Sequence, residues 1–249
     1  MLWRIFKYIE HLSHLRHRKG HGIHSPYLFE FIDRVVFNSE GVECPRMVLQ
    51  EHRDLKNNVT ITGGEGRSVS SFVLGSSVSE KYGALLYRIA GWFGPEMIVE
   101  LGTGLGISTL YLASGSPGTT LHSIEGNTER ATIAAHLVSR CNLGPVSIHW
   151  GEMDEKLSDI LPLMPGRFMA YVDGNHSYEP TVRYVRNLLD RAGEEAVIIM
   201  DDIYWSRGMN RAWKEVTSWQ ETRISIDLFH MGILLLRKDL PQARLKIKF

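Results

Sequence analysis

The sequence predicts a doubly wound α/β fold: a mostly parallel, seven-stranded sheet of Rossmann-like type, an antiparallel C-terminal hairpin, and an N-terminal helical extension. Three observations predict it. Apolar, strand-like runs at 97–101, 120–124, 146–150, 168–172 and 196–200 alternate with helical stretches near 107–114, 127–142, 155–161 and 178–192, the alternation of a parallel sheet covered on both faces. The first run stops in three closely spaced glycines before the first helix. Near the C-terminus, Ile224 to Phe229 and Ile233 to Arg237 are joined by so few residues that only an antiparallel pairing can connect them.

Ahead of this pattern the chain changes character, and a division into an extension over 1–77 and a domain over 78–249 is expected. Leu2, Trp3, Ile5, Phe6, Ile9 and Leu12 recur at helical spacing with Arg4, Lys7 and Glu10 between them. A basic cluster follows from His14 to His24, with Arg16, Arg18 and Lys19. Ser25 and Pro26 suit the N-cap and first turn of a helix through Tyr27, Phe29, Phe31, Ile32 and Val35. Gly63, Gly64 and Gly66 mark a loop, and Val78 to Trp92 reads as a helix ending near Gly94-Pro95.

Composition narrows the class. At 249 residues the chain can build a sizeable core. Lys plus Arg equals Asp plus Glu at 28 each, so no global basic field points to nucleic acid. Cys44 and Cys141 are far apart and lack a metal-type spacing. No apolar run approaches the ~18 residues of a membrane span, and Arg4, Lys7 and Glu10 interrupt any signal-peptide core. A cytoplasmic protein is the expectation. Five of the eleven histidines (11, 14, 17, 21 and 24) fall in the first 24 residues; their spacing is open to metal binding, which the adjacent Arg and Lys charges oppose.

The segment Val99 to Ser108 carries the most information. Strand, glycine turn, helix is how an open α/β sheet brings backbone close to an adenosine-containing ligand. The glycines stand at 102, 104 and 106, with Ile107 where a nicotinamide fingerprint places its third glycine. Glu125 ends the second strand, where an acid accepts hydrogen bonds from ribose hydroxyls. Two later strands also end in acids: 168–172 runs into Asp173-Gly174-Asn175-His176, and 196–200 into Asp201-Asp202. The carboxyl ends of neighbouring strands share one crevice, so these aspartates can converge and call for a cation or a raised pKa. Oxygen-only ligands suit Mg²⁺, Mn²⁺ or Ca²⁺. The alternative is that they cap the following helices. His176 suits a general base.

Taken together these residues resemble the class I S-adenosylmethionine-dependent methyltransferases, and among them the small-molecule O-methyltransferases that use a divalent metal, related to the catechol and caffeoyl-coenzyme A enzymes. The resemblance covers roughly 78–237. It implies that Glu100, Gly102, Thr103, Gly104, Gly106 and Ser108 form the first cofactor motif. Glu125 and Gly126 would meet the ribose, and Glu152 and Met153, within Gly151 to Asp154, the adenine. Asp173, Asp201 and Asp202 match the metal positions, Asp173 also bordering the cofactor. His176 falls where relatives place a lysine base. The catechol enzymes have Asp-Asn where this chain has Asp201-Asp202, so the acceptor is less constrained than the metal.

The resemblance implies in-line methyl transfer from S-adenosyl-L-methionine to a hydroxyl of a small molecule, with help from a divalent cation, Mg²⁺, held by these acids. Tyr204, Trp205, Trp213 and His230 are candidates to line the acceptor pocket, and Arg207 and Arg211 to meet an anionic acceptor. Metal-independent methyl transfer is the first competing reading. A scaffold whose cofactor fold has lapsed, held to a membrane or partner through residues 1–20, is another, and the same segment suits a homodimer contact. A nicotinamide-dependent oxidoreductase is disfavoured by the glycine spacing.

Overall fold

A computed structural model describes residues 2–13, 25–58 and 68–249. His14, His17, His21 and His24, Arg16, Arg18 and Lys19, and Gly63, Gly64 and Gly66 lie outside the described residues. Two compact units are distinguished, one formed by 1–41 with 164–249 and the other by 42–163.

The 42–163 unit contains helices α3 (Arg46–Asn57), α4 (Val69–Ser76) and α5 (Glu80–Phe93), following α1 and α2 described below. Strand β1 (Met97–Leu101), helix α6 (Ile107–Gly115), strand β2 (Thr120–Glu125), helix α7 (Thr128–Cys141), strand β3 (Val146–Trp150) and helix α8 (Met153–Ile160) continue it. The strands are parallel in the order β3-β2-β1, with Val99 opposite His122 and Ile124 opposite His149. All five residues of β1 are buried, which explains an apolar run without alternation: both faces are covered. Short polar side chains set the helix starts. Ser79 Oγ accepts from Tyr82 N–H, and Asn127 Oδ1 from Arg130 N–H at 3.0 Å. Gly94 ends α5 with φ of 49°. At Gly83 a Cβ would stand 2.3 Å from the Tyr111 ring, so only glycine lets α5 approach α6 this closely.

The other unit contains α1 (Leu2–Ser13) and α2 (Pro26–Glu30), the latter continued by π turns over Phe31–Val36. Ser25 Oγ accepts from Leu28 N–H and Pro26 occupies the first turn, as expected. The widened turns bury Phe31, Ile32, Val35 and Val36 together, a spacing that suits i→i+5 bonding. Strand β4 (Phe168–Val172), α9 (Tyr178–Leu189), β5 (Val197–Met200), α10 (Arg207–Val216), β6 (Ile224–Asp227), β7 (Gly232–Leu235) and β8 (Ala243–Lys246) complete it. Its strand order is β4-β5-β7-β6-β8. β4 and β5 run parallel, while β7 is antiparallel to both β5 and β6, so the expected hairpin is present.

The fold class is as the sequence predicts, a mostly parallel α/β architecture with antiparallel C-terminal strands, but the described residues form eight strands where seven are expected. The eighth, β8, pairs parallel with β6. Its four residues include two cations and only one buried side chain, so it carries little of the hydrophobic pattern by which strands are read. Helices α3, α4 and α10 also have no counterpart among the predicted elements. Among the described residues no helix is long and apolar enough to cross a membrane.

Candidate active site

Two clusters bear the chemistry, one in each unit. In the 42–163 unit the chain turns from β1 into α6 through Gly102, Gly104 and Gly106, with φ of 102°, 56° and 87°. These are left-handed values that side chains resist. At Gly106 a Cβ would also stand 3.1 Å from that of Ala134, so glycine is needed on two counts. The N–H groups of Gly102 and Thr103 both donate to Ile124 O at 3.0 Å, and Gly104 N–H donates to Glu125 Oε2 at 2.8 Å. Glu125 Oε1 accepts from Asn127 N–H at 2.9 Å, with Arg130 Nε at 3.4 Å. The carboxylate thus holds the glycine turn in place. It keeps lone pairs for a ligand, since a carboxylate offers about four acceptor positions.

Glu100 lies in β1 and is fully buried. Its Oε2 accepts from Thr109 Oγ1 at 2.5 Å and Ser123 Oγ at 2.6 Å. Burial pushes this carboxyl up to about 7, although hydrogen bonds from Ser108, Ser123 and Thr109 pull it down; nearby Glu125 adds to the rise. Its Oε1 is buried and has no hydrogen-bond partner among the described residues. A buried polar atom without a partner is costly, and a ligand donor would relieve it. Thr103 Oγ1 is 2.5 Å from Ser123 Oγ. At the end of β3, Gly151 N–H donates to Glu125 O at 3.1 Å and leads into α8. There Glu152 is exposed and gives no side-chain cap, and Met153 is partly buried. Gly126 is exposed beside the turn. The cofactor residues expected between 100 and 153 therefore gather around the ends of β1, β2 and β3.

In the other unit, Asp201 N–H donates to Val172 O at 3.0 Å, which joins the ends of β4 and β5. Burial, and then Asp202, push the Asp201 carboxyl up to about 7; the Tyr171 hydroxyl, the Asp202 backbone and Asp173 act the other way. Asp173 and Asp201 thus interact at one site. His176 Nε2 lies 3.6 Å from Asp173 Oδ1, and its buried Nδ1 has no hydrogen-bond partner among the described residues. Burial lowers the pKa of His176 below the usual histidine range, opposed by Asp202. Asn175, His176 and Asp202 adopt φ of 68°, 38° and 50°. Three left-handed residues without glycine's freedom store strain of a kind found at functional sites.

Asp202 has a further partner: Arg4 of α1 approaches its Oδ1 at 3.9 Å and lies over the Trp205 ring at 4.7 Å. Among the described residues no three His, Cys, Asp or Glu side chains are gathered closely enough to hold a metal ion. The left-handed turn at Asp202 and its pairing with Arg4 give the physical reason why the Asp173, Asp201 and Asp202 set expected from the sequence is not drawn together. Arg4 itself gave no signal in the sequence beyond one charge in an amphipathic helix.

The proposed acceptor residues separate. Trp205 is 48 % exposed and its ring lies 6.3 Å from that of His176. Tyr204 is buried and donates its hydroxyl to Asp227 Oδ2 at 2.8 Å. Trp213 is buried over Gly232, where a Cβ would meet its ring at 2.5 Å. These two are core residues. Arg211 stacks over Tyr178 at 4.0 Å, and Arg207 and His230 are exposed. A cavity of about 510 Å³ lies near the opposite end of β5 from Asp201, lined by residues including Gly193, Arg223 and Lys238.

Residues 99–203, which include both clusters' strand-end acids, match a family described as a methyltransferase domain. Solved structures agree on the fold. An O-methyltransferase from Bacillus cereus in complex with S-adenosylhomocysteine is 17% identical, with a TM-score of 0.60 over 83% of this chain and 96% of that one. The O-methyltransferase TomG of Streptomyces achromogenes, involved in tomaymycin synthesis and bound to S-adenosylmethionine, is 21% identical, with a TM-score of 0.57 over 82% and 95%. The methyltransferase PaMTH1 of Podospora anserina, bound to S-adenosylhomocysteine, is 14% identical, with a TM-score of 0.62 over 87% and 100%. No curated protein matches the sequence significantly. The matched segment therefore lies within a fold shared over most of the chain with these proteins.

Proposed function

We propose that the protein is an S-adenosylmethionine-dependent O-methyltransferase acting on a hydroxyl of a small molecule with the help of a divalent cation. The observation that carries the reading is the glycine turn over 102–106, held by Glu125 at the carboxyl ends of β1 and β2 within the matched methyltransferase domain. We assign methyl transfer to residues 78–249 and leave residues 1–77 as an extension that includes Arg4.

The residues fit the cofactor. The turn offers backbone without side-chain obstruction, Glu125 has lone pairs left for ribose hydroxyls, and Glu100 Oε1 is a buried acceptor awaiting a donor. When bound, S-adenosylmethionine supplies an electrophilic methyl that passes from sulfur to the acceptor oxygen as the sulfur–carbon bond breaks. Asp173 and Asp201 offer hard oxygen donors of the kind that suit a dication such as Mg²⁺, and the Asp201 carboxyl, raised by burial and by the charge of Asp202, would be relieved by one. Such an ion lowers the pKa of a hydroxyl that touches it.

His176 takes the acceptor's proton. Its Nε2 lies 3.6 Å from Asp173 Oδ1, beside the carboxylates proposed to hold the cation. The lowered pKa keeps the ring neutral near pH 7, as a base must be before it acts. Trp205, exposed beside His176, offers a flat apolar wall for an acceptor ring.

The test is calorimetric titration with S-adenosylhomocysteine in Mg²⁺ and in EDTA, followed by methyl-transfer assays on a panel of phenols, catechols and sugar alcohols. Micromolar binding in both buffers with chelator-sensitive turnover is the expected result. Chelator-resistant turnover removes the metal from the reading, and no cofactor binding in either buffer removes methyl transfer.

A further inference from the structure

The cavity of about 510 Å³ lies at the far ends of two elements whose near ends carry the proposed chemistry. Leu189, on its wall, ends α9, whose first residue, Tyr178, follows His176 by two positions. The 12 residues of that helix put roughly 18 Å between its ends. Gly193 lines the cavity ahead of β5, which leads at its other end into Asp201. The volume falls in the range of small-molecule pockets, about 300–1,000 Å³. The cavity is thus separate from the strand-end acids, and no step of the proposed methyl transfer uses it.

Arg223 is the group in this cavity whose bonding is incomplete. Its backbone is fixed just ahead of β6: the N–H donates to Leu235 O at 3.2 Å, and the carbonyl accepts from Ala243 N–H at 2.9 Å. Its guanidinium donates from Nη2 to Leu240 O at 3.3 Å, while the buried Nε has no hydrogen-bond partner among the described residues. A buried donor on a charged group is costly when it lacks an acceptor. The neighbouring acids do not supply one. Lys238 lies 3.4 Å from Glu194 and Arg186 2.7 Å from Glu221, so each acid on the wall has a cation of its own. A guanidinium with donors to spare matches a carboxylate or a phosphate. The two wall acids repel a multiply charged phosphate more than a singly charged carboxylate. Leu189, Ala192 and Leu236 also line the cavity, both leucines being buried, and offer apolar surface to the rest of a ligand. We propose that the cavity binds a small monocarboxylate with an apolar body, the carboxylate on Arg223 and the body against Leu189, Ala192 and Leu236. The site does not depend on methyl transfer.

The experiment is titration of the full chain with 3-phenylpropionate, followed by ligand-observed NMR. The uncharged analogue 3-phenylpropanol and inorganic phosphate are the comparison probes. Two variants accompany it: Arg223→Gln removes the charge, and Ala192→Phe narrows the cavity while leaving Arg223 in place. Millimolar binding of 3-phenylpropionate is expected. It should be weaker by about tenfold or more for 3-phenylpropanol and for either variant, and phosphate should not displace the acid. Thermal melting followed by circular dichroism checks that each variant is folded; if Arg223→Gln is not, Ala192→Phe decides alone. Four results overturn the proposal: no millimolar binding of 3-phenylpropionate, equal binding of 3-phenylpropanol, displacement by phosphate, or unchanged binding in a folded variant.

Discussion

His11 Nδ1 stands 3.4 Å from Asp227 Oδ1, with both side chains buried, and so ties the first helix of the chain to the end of β6. Asp227 is the centre of a wider network. Its Oδ2 accepts from the Tyr204 hydroxyl at 2.8 Å and its Oδ1 from Phe229 N–H at 2.9 Å. The Tyr204 and Phe229 rings stack at 4.8 Å, with Tyr8 edge-on to Phe229 at 4.9 Å. Tyr204 follows Asp202 by two residues, so this network fixes the loop after β5 as well as α1.

Asp227→Ala should therefore be costly, because it leaves the Tyr204 hydroxyl and Phe229 N–H buried without their acceptor and removes the carboxylate beside His11. A loss of about 3 kcal/mol or more is expected. Asp227→Asn should lose less, since an amide oxygen can still accept one of these bonds. Urea unfolding of both variants measures the difference. A cost below about 1 kcal/mol for the alanine variant would show that the network relaxes and does not hold the loop.

Two buried groups in the 42–163 unit should give opposite pH dependences. Glu100 is raised from 4.5 to about 7, so the folded state binds its proton more tightly than the unfolded one. Its linkage makes stability fall as pH rises from about 4.5 to 7. His52 is lowered from 6.5 to about 4, chiefly by burial, with Nδ1 3.0 Å from the Tyr111 hydroxyl. Its linkage makes stability fall as pH drops from 6.5 towards 4. Between these limits the slopes oppose one another, each at about 1.4 kcal/mol per pH unit when fully expressed. Glu100→Gln should accordingly give stability that rises with pH across this window, and His52→Asn stability that falls with it. Denaturant midpoints from pH 5 to 7 provide the check; parallel slopes for the two variants would refute the assignment.

The parts legible in the sequence were those where burial and backbone geometry leave a mark in residue type. β1 and β4 are buried on every residue and appear as apolar runs, that of β1 interrupted only by Glu100. Gly102, Gly104 and Gly106 are glycines because their φ values require it. The acids at 125, 173 and 201 stand where strands end. What escaped were elements whose pattern is broken by function or polarity. In α3 the inward stripe is Val48, His52 and Leu55, and a buried histidine in the middle disguises the helical period. In α10 the stripe of Met209, Ala212, Trp213 and Val216 is regular, but its Trp and Arg residues invited an acceptor-site reading. Arg4 reaches Asp202 only through tertiary packing of α1, which no local pattern encodes.

Gly106→Ala should act on cofactor affinity before it acts on the fold. The alanine must adopt φ near 87° and press on Ala134 at 3.1 Å. Relief requires the turn to shift, and the first turn of α6 with it. A strain of about 1–3 kcal/mol predicts a loss of roughly tenfold or more in S-adenosylhomocysteine affinity by calorimetry. Gly118→Ala is the matched control: its φ is 86° but a Cβ there meets nothing within 4 Å. It should cost some stability and leave affinity unchanged. Equal affinity losses in the two variants would mean that the turn's position is not what the ligand reads.

The pairing of Arg4 with Asp202 makes a prediction about metal binding. At 3.9 Å the guanidinium supplies positive charge to one carboxylate of the set, while burial and the charge of Asp202 keep Asp201 raised to about 7. A divalent cation and Arg4 would therefore compete for Asp202. Arg4→Gln should bind Mn²⁺ more tightly than the wild type, by about threefold to tenfold for a surface-accessible charge. Asp201→Asn should bind it at least tenfold more weakly. Paramagnetic titration with Mn²⁺ reads both directly and needs neither acceptor nor turnover. Tighter binding in Arg4→Gln together with weaker binding in Asp201→Asn places the ion among the strand-end acids. Mn²⁺ binding unchanged in Asp201→Asn would leave these acids to orient His176 and the loop after β5 without a metal.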